Sequence, residues 1–289
     1  MALNIDLIKK KLNQLQTNVN RSTYQWKPQP GKNQIRIVPY QHDKDNPFIE
    51  LLFHYNVGKK SLMSLETFGQ EDPICEFAER LKSTGDKEDW KLGKKLEPTL
   101  RTYVPIIVRE KEKEGVKFWG FGKEIYKEIL AIISDPDYGD ITDLNSGRDI
   151  VVEFITAKDA GNSYGKVTIR PKPNSTKSTT DETVLDLILN RQPEIFDVFK
   201  KNTYEELEGA LKKWLEFSAD ETTTDSDNDK QKPIDDDDDD NVKLPEGDNP
   251  NLPDPNAKVE TPLVQKGNAK TVKGTKDVSK AFSDLFDDK

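Results

Sequence analysis

The sequence predicts an α+β fold: a body of short strands with helices set between them, preceded by a helical arm and followed by an acidic tail. Three observations support this. Several segments alternate apolar and polar residues with a period of two and are bounded by Gly or Pro. Capped segments with apolar residues three or four apart fall between them. All such patterning stops at Ser218.

The arm comes first. Ile5, Ile8, Leu12 and Leu15 share one face of a helix over residues 4–18, with Lys9, Lys10 and Lys11 largely off that stripe. Asn20-Arg21-Ser22-Thr23 is polar and helix-poor, so residues 1–25 read as separable from a body that starts near Trp26. Strands are predicted near 34–38, 48–57, 101–109, 116–121, 150–156 and 164–170. Asp72-Pro73 supplies a cap and an N1 proline for a helix carrying Ile74, Phe77, Ala78 and Leu81. Further helices are expected over 123–133 and 183–190, and behind a Thr203–Glu206 capping box with Leu207, Leu211, Trp214 and Leu215. The body is expected to span 26–217.

Residues 1–217 carry 34 Lys/Arg and 34 Asp/Glu, whereas residues 218–289 carry 10 and 19, so the whole net charge of −9 sits in the last quarter. A neutral body with an acidic tail differs from an acidic globule. Residues 220–260, with six aspartates at 235–240, bury too little to fold and are expected to be disordered. The ending Phe282–Leu285–Phe286 among acids suits a partner's basic-rimmed groove. No run of about 18 apolar residues predicts a membrane span. The first residues lack a signal-peptide pattern, and the single Cys75 points to a reducing, cytoplasmic setting.

The faces of the strands suggest a ligand. Thr102, Val104, Ile106 and Val108 form one face of their strand, while Arg101, Tyr103 and Arg109 lie on the other. In the next strand Val116 and Phe118 oppose Lys117, Trp119 and Phe121. Val167 and Ile169 oppose Tyr164, Lys166, Thr168 and Arg170, and Arg36 faces away from Ile35 and Ile37. None of these outward sets contains Asp or Glu. Cations neutralise phosphates, and exposed rings stack on bases for about 1–3 kcal/mol each, so the mixture suits single-stranded nucleic acid. Duplex DNA hides its bases, and no helix has the base-reading pattern of a helix-turn-helix protein. Arg36, Arg101, Arg109, Lys117, Lys123, Lys166 and Arg170 are the candidate phosphate contacts, and Tyr103, Trp119, Phe121 and Tyr164 the candidate stacking rings. The alternating charges from Arg109 to Glu114 also fit a solvated hairpin tip.

A family resemblance follows from particular stretches. Trp26-Lys27-Pro28, Gln34-Ile35-Arg36-Ile37-Val38-Pro39 and Pro47-Phe48-Ile49 resemble the start of the core in single-stranded-DNA-binding, helix-destabilising proteins of T-even-type tailed phages. Asp72-Pro73-Ile74-Cys75 and the run Lys117–Tyr126 resemble them too, as does the acidic tail. The resemblance covers about 25–215 with gaps. It implies an OB-fold-like five-stranded antiparallel barrel with helical insertions. It also implies a basic arm for cooperative self-association along DNA, through Arg21-Ser22-Thr23 or Lys9-Lys10-Lys11. The tail would recruit viral replication and recombination proteins, and the setting would be the host cytoplasm. By match, Arg101, Tyr103, Trp119 and Tyr164 belong in the DNA cleft. The family's best-known members bind zinc through one His and three Cys. Here His54 and Cys75 match two of those positions, with Asp72 and Phe68 near the others, so no metal and no cofactor is expected. Trp90 and Leu81 are then expected to help pack that region.

The expected function is sequence-independent coating of single-stranded DNA in replication, recombination and repair. With two histidines and no phosphate loop or nucleophile elbow, no enzyme is expected. The rival readings are an RNA-binding OB-type protein, which would use the same face, and an acidic interaction scaffold working through the tail.

Overall fold

The structure, a computed structural model, describes residues 21–58, 61–161 and 164–220. The expected arm helix at 4–18 and the aspartate run lie outside the described residues. The strands are β1 (Gln25–Trp26), β2 (Gly31–Ile37), β3 (Ile49–His54), β4 (Leu62–Met63), β5 (Thr99–Val108), β6 (Lys117–Phe121), β7 (Arg148–Ile155) and β8 (Lys166–Ser175). The helices are α1 (Pro73–Ser83), α2 (Lys87–Leu96), α3 (Lys123–Ser134), α4 (Ala157–Ala160), α5 (Glu182–Asn190), α6 (Ile195–Val198) and α7 (Tyr204–Asp220).

Local chemistry fixes the helix starts. Asp72 accepts from the Ile74 and Cys75 amides and so caps α1 ahead of Pro73. The Thr203–Glu206 capping box forms in both directions, Glu206 N to Thr203 Oγ1 at 3.2 Å and Thr203 N to Glu206 Oε2 at 3.4 Å. Helix α2 was not expected from periodicity, since Gly93 interrupts it. That glycine is needed: a Cβ there would lie 2.6 Å from Ala78 O, so its absence lets α2 settle onto α1.

The strands make one sheet in the order β1-β6-β5-β2-β7-β8, with β3 also on β5 and β4 on β3. β5 is the spine. One of its edges pairs with β6; the other pairs first with β3, up to Tyr103, and then with β2, from Ile106. Pro105, which has no N–H to give, sits at that handover. Among the described residues no pairing returns β8 to β1 or β6, so the sheet is open and not the closed five-stranded barrel expected. The Trp119–Gly122 stretch and the Gly165–Val167 stretch instead face one another across a pocket.

Apolar residues cover both faces of the sheet. Ile35, Ile37, Val104, Ile106, Trp119, Phe121, Ile150 and Val152 fill the concave side with Ile129 of α3. On the convex side Ile107 and Val116 pack under Val184 and Ile188 of α5, and Phe53, Tyr103 and Phe118 pack under α6 and Phe199. The α1–α2 unit packs on Leu207 and Leu211 of α7. Leu81 belongs to that packing, but Trp90 does not, being 50 % exposed.

Candidate nucleic-acid interface

Two depressions flank the segment from Arg21 to Lys27. The first is a groove of about 1080 Å³ over the outer side of β2, β7 and β8. Among the described residues Arg21, Lys27, Lys32, Arg109, Lys111 and Lys117 line it, joined by Arg170 and Lys172, against only Glu110 and Glu114. Several of those cations have partners within the chain: the Lys117 ammonium is 2.5 Å from Glu114 Oε2, Arg109 is held by Asp149, and Arg21 Nε donates to Gln25 Oε1 at 3.1 Å.

The second is a pocket of about 290 Å³, near the lower end of small-molecule sites. Phe53, Tyr55, Tyr103, Phe154 and Phe199 supply rings. Arg21, Lys27, Arg101 and Lys166 supply charge, and among the described residues Glu124 is the only carboxylate lining it. The pocket opens where β6 loses its neighbour. β1 pairs only with Phe118 and Trp119, leaving the backbone of Gly120 and Gly122 to line the cavity. Gly120 is required there, because a Cβ would meet the Tyr103 ring at 2.5 Å. Arg21, Gln25, Trp26 and Lys27 line both depressions and form the wall between them.

The candidate residues divide accordingly. Arg101, Tyr103, Trp119, Phe121 and Lys166 reach the pocket, and Arg109, Lys117 and Arg170 reach the groove. Exposed Lys123, at the start of α3, and half-buried Tyr164 line neither, although Gly122 and Gly165 beside them line the pocket.

Arg36 is a correction. It is fully buried, with Nε 2.8 Å from Asp149 Oδ1 and Nη2 donating to Thr176 O at 2.9 Å and to Thr176 Oγ1 at 2.6 Å. It cannot meet a phosphate. Asp149 also takes Arg109 Nη2 at 2.7 Å and Gln34 Nε2 at 2.6 Å. Burial pushes the Asp149 carboxyl up, but hydrogen bonds from Arg109, Arg36 and Gln34 outweigh it and hold it below the usual carboxylate range. Together these residues clamp the chain at 176–178 over the sheet.

The rings need a second correction. The register sets Trp119 opposite Val104 and Gly120 opposite Tyr103, so Trp119 and Tyr103 lie on opposite faces of the sheet. Trp119 and Phe121 point into the concave core, not outward, with Trp119 2 % exposed and edge-on to Trp26. Tyr103 is 4 % exposed, with the Phe199 ring at 4.6 Å. The rings with open area are half-buried Tyr55 and Phe154. Neither stood out in the sequence; Lys32 was passed over as well, while Arg21 and Lys27 entered only through the arm motif Arg21-Ser22-Thr23 and the stretch Trp26-Lys27-Pro28, since β1 is too short to show a period.

On the far side of β3, His54, Asp72 and Cys75 bring a nitrogen, an oxygen and a sulfur within 4.8 Å of one another. His54 and Asp72 are buried and Cys75 is half-buried.

The chain matches the family described as gp32 DNA binding protein like over residues 29–218. It belongs to that family. Single-stranded DNA is therefore its ligand. The matched span contains every residue of both depressions except those from Arg21 to Pro28, so the dividing wall lies upstream of it. No curated protein matches the chain. Among the described residues no helix is long and apolar enough to cross a membrane.

Proposed function

We propose that this protein coats single-stranded DNA without sequence preference during viral replication, recombination and repair, as a binder and not an enzyme. The phosphates follow the basic groove, and bases turn into the pocket against Tyr55 and Phe154, with Arg101 and Lys166 at its mouth. The observation that carries this reading is that groove and pocket share one wall, so a single strand can occupy both. Backbone charge and base faces are then met at once, which is what binding without sequence readout requires.

Residues 1–25 would reach the neighbouring protomer on the lattice, and the curved sheet would serve as the family's OB-type core. The tail from 218 would compete with DNA for the groove and, once displaced, recruit replication and recombination proteins.

The test is a fluorescence titration with oligo(dT) at several salt concentrations. Tyr55→Ala should weaken binding by about 1–3 kcal/mol, roughly 5- to 150-fold, at an unchanged salt slope. Lys27→Ala should flatten the slope by about 0.7. Wild-type affinity and slope in both variants would place the DNA elsewhere. Matched RNA and DNA oligonucleotides in competition separate the RNA-binding alternative.

A further inference from the structure

We infer that His54, Ser64, Asp72 and Cys75 form a metal-free polar hub, in which the Asp72 carboxylate ties the chain together where zinc-bearing relatives use a cation. The grouping is compact enough to suggest a metal centre, but its donors do not fit a closed zinc site. Such a site takes four nitrogen or sulfur ligands in a tetrahedron. Here only His54 and Cys75 offer them, and the remaining neighbours are a hydroxyl and a carboxylate.

The carboxylate is already committed. Asp72 Oδ2 accepts from Ser64 Oγ at 2.8 Å and Leu65 N at 2.8 Å, and faces His54 Nε2 at 3.3 Å. Asp72 Oδ1 accepts from Ile74 N at 2.9 Å and Cys75 N at 3.2 Å. A carboxylate has about four lone-pair sites, so these contacts saturate it. Half-buried Cys75 is tied to the hub through its backbone amide. Its sulfur lies 3.9 Å from His54 Nε2 and 4.0 Å from Ser64 Oγ.

The hub joins separate parts of the chain. His54 comes from β3, Ser64 caps and Leu65 begins a 3-10 turn, and Asp72 caps α1. His54 Nδ1, 2.8 Å from Leu96 O, adds the end of α2. Phe53 and Tyr55, on either side of His54, line the DNA pocket, so the hub also fixes one of its walls.

The full chain, purified without added metal, is assayed for bound zinc and melted with and without a strong chelator. Zinc should be far below one equivalent and the Tm unchanged by chelation. Cobalt added to the wild-type protein should give no thiolate absorption, whereas Ser64→Cys combined with Asp72→Cys restores a one-His, three-Cys set and should give that band. Asp72→Asn should lower Tm by about 10 °C. If that variant does not fold, Ser64→Ala removes one donor and should lower Tm by about 5 °C. Stoichiometric zinc whose removal lowers the wild-type Tm would overturn the inference, as would a cobalt–thiolate band in the wild type. A wild-type Tm for Asp72→Asn would also overturn it. None of these measurements involves DNA, so their outcome stands apart from that of the oligo(dT) titration.

Discussion

Replacing Arg36 with methionine separates a structural arginine from a phosphate-binding one. The substitution keeps much of the side-chain volume and removes the guanidinium. It deletes the bonds to Asp149 and Thr176 and a weaker one to Asp143 O at 3.3 Å. Removing one partner of a buried ion pair costs about 3–5 kcal/mol. Arg109 and Gln34 still compensate Asp149, so the lower end applies, about 3 kcal/mol. For a body of this size that corresponds to a Tm lower by about 6–12 °C. Differential scanning calorimetry measures this, and an oligo(dT) titration across salt completes the comparison. The melting point should fall while the slope of log K against log[salt] stays at the wild-type value. Arg170→Ala, from the exposed outer face of β8, should do the reverse: an unchanged Tm and a slope smaller by about 0.7. A variant at Arg36 that melts like wild type yet loses salt dependence would show that the guanidinium reaches DNA, and the clamp would be wrong.

Other expectations follow from neighbouring contacts. Gly120→Ala drives a methyl into the Tyr103 ring and should destabilise by about 1–3 kcal/mol in urea unfolding, with weaker oligo(dT) binding because the pocket wall moves. Asp149 is held below its ordinary value of 3.8, so the stability it contributes is full above that pH and is lost as pH falls through its lower folded value. Asp149→Asn should therefore flatten the acid side of a Tm-against-pH curve; an unchanged acid limb would remove Asp149 from the account. Deleting residues 218–289 should tighten binding to oligo(dT) at low salt, and an unchanged affinity and slope would reject competition by the tail.

Much of the framework could be read from residue order. Period-two alternation located β2, β3, β5, β6, β7 and β8 because each has one face on a buried apolar cluster, the concave one for all but β3, whose Leu51 and Phe53 pack on the convex side. Asp72-Pro73 and Thr203–Glu206 marked two helix starts because caps act over three or four residues. The DNA-facing surface was harder, for a physical reason. Alternation assigns two faces within a strand but does not say which face of one strand joins which face of the next; that depends on register. In β6 both faces are apolar, since α5, α6 and Phe199 cover the convex side, so Phe118 was taken for core and Trp119 for surface. Arg36 looks like any solvated arginine until Asp149 is folded against it. Trp90 shows the converse, a large ring left half in water on α2.

The partition built from Arg21 to Lys27 has a geometric effect on any polymer laid across it. Two residues of parallel pairing separate the basic trough from the ring-lined hole, so a strand that fills both must turn a corner there. An oligonucleotide too short to round that corner can sit on one side only. Affinity plotted against oligonucleotide length should then show a step, not a smooth climb, at the shortest molecule able to bend past Trp26.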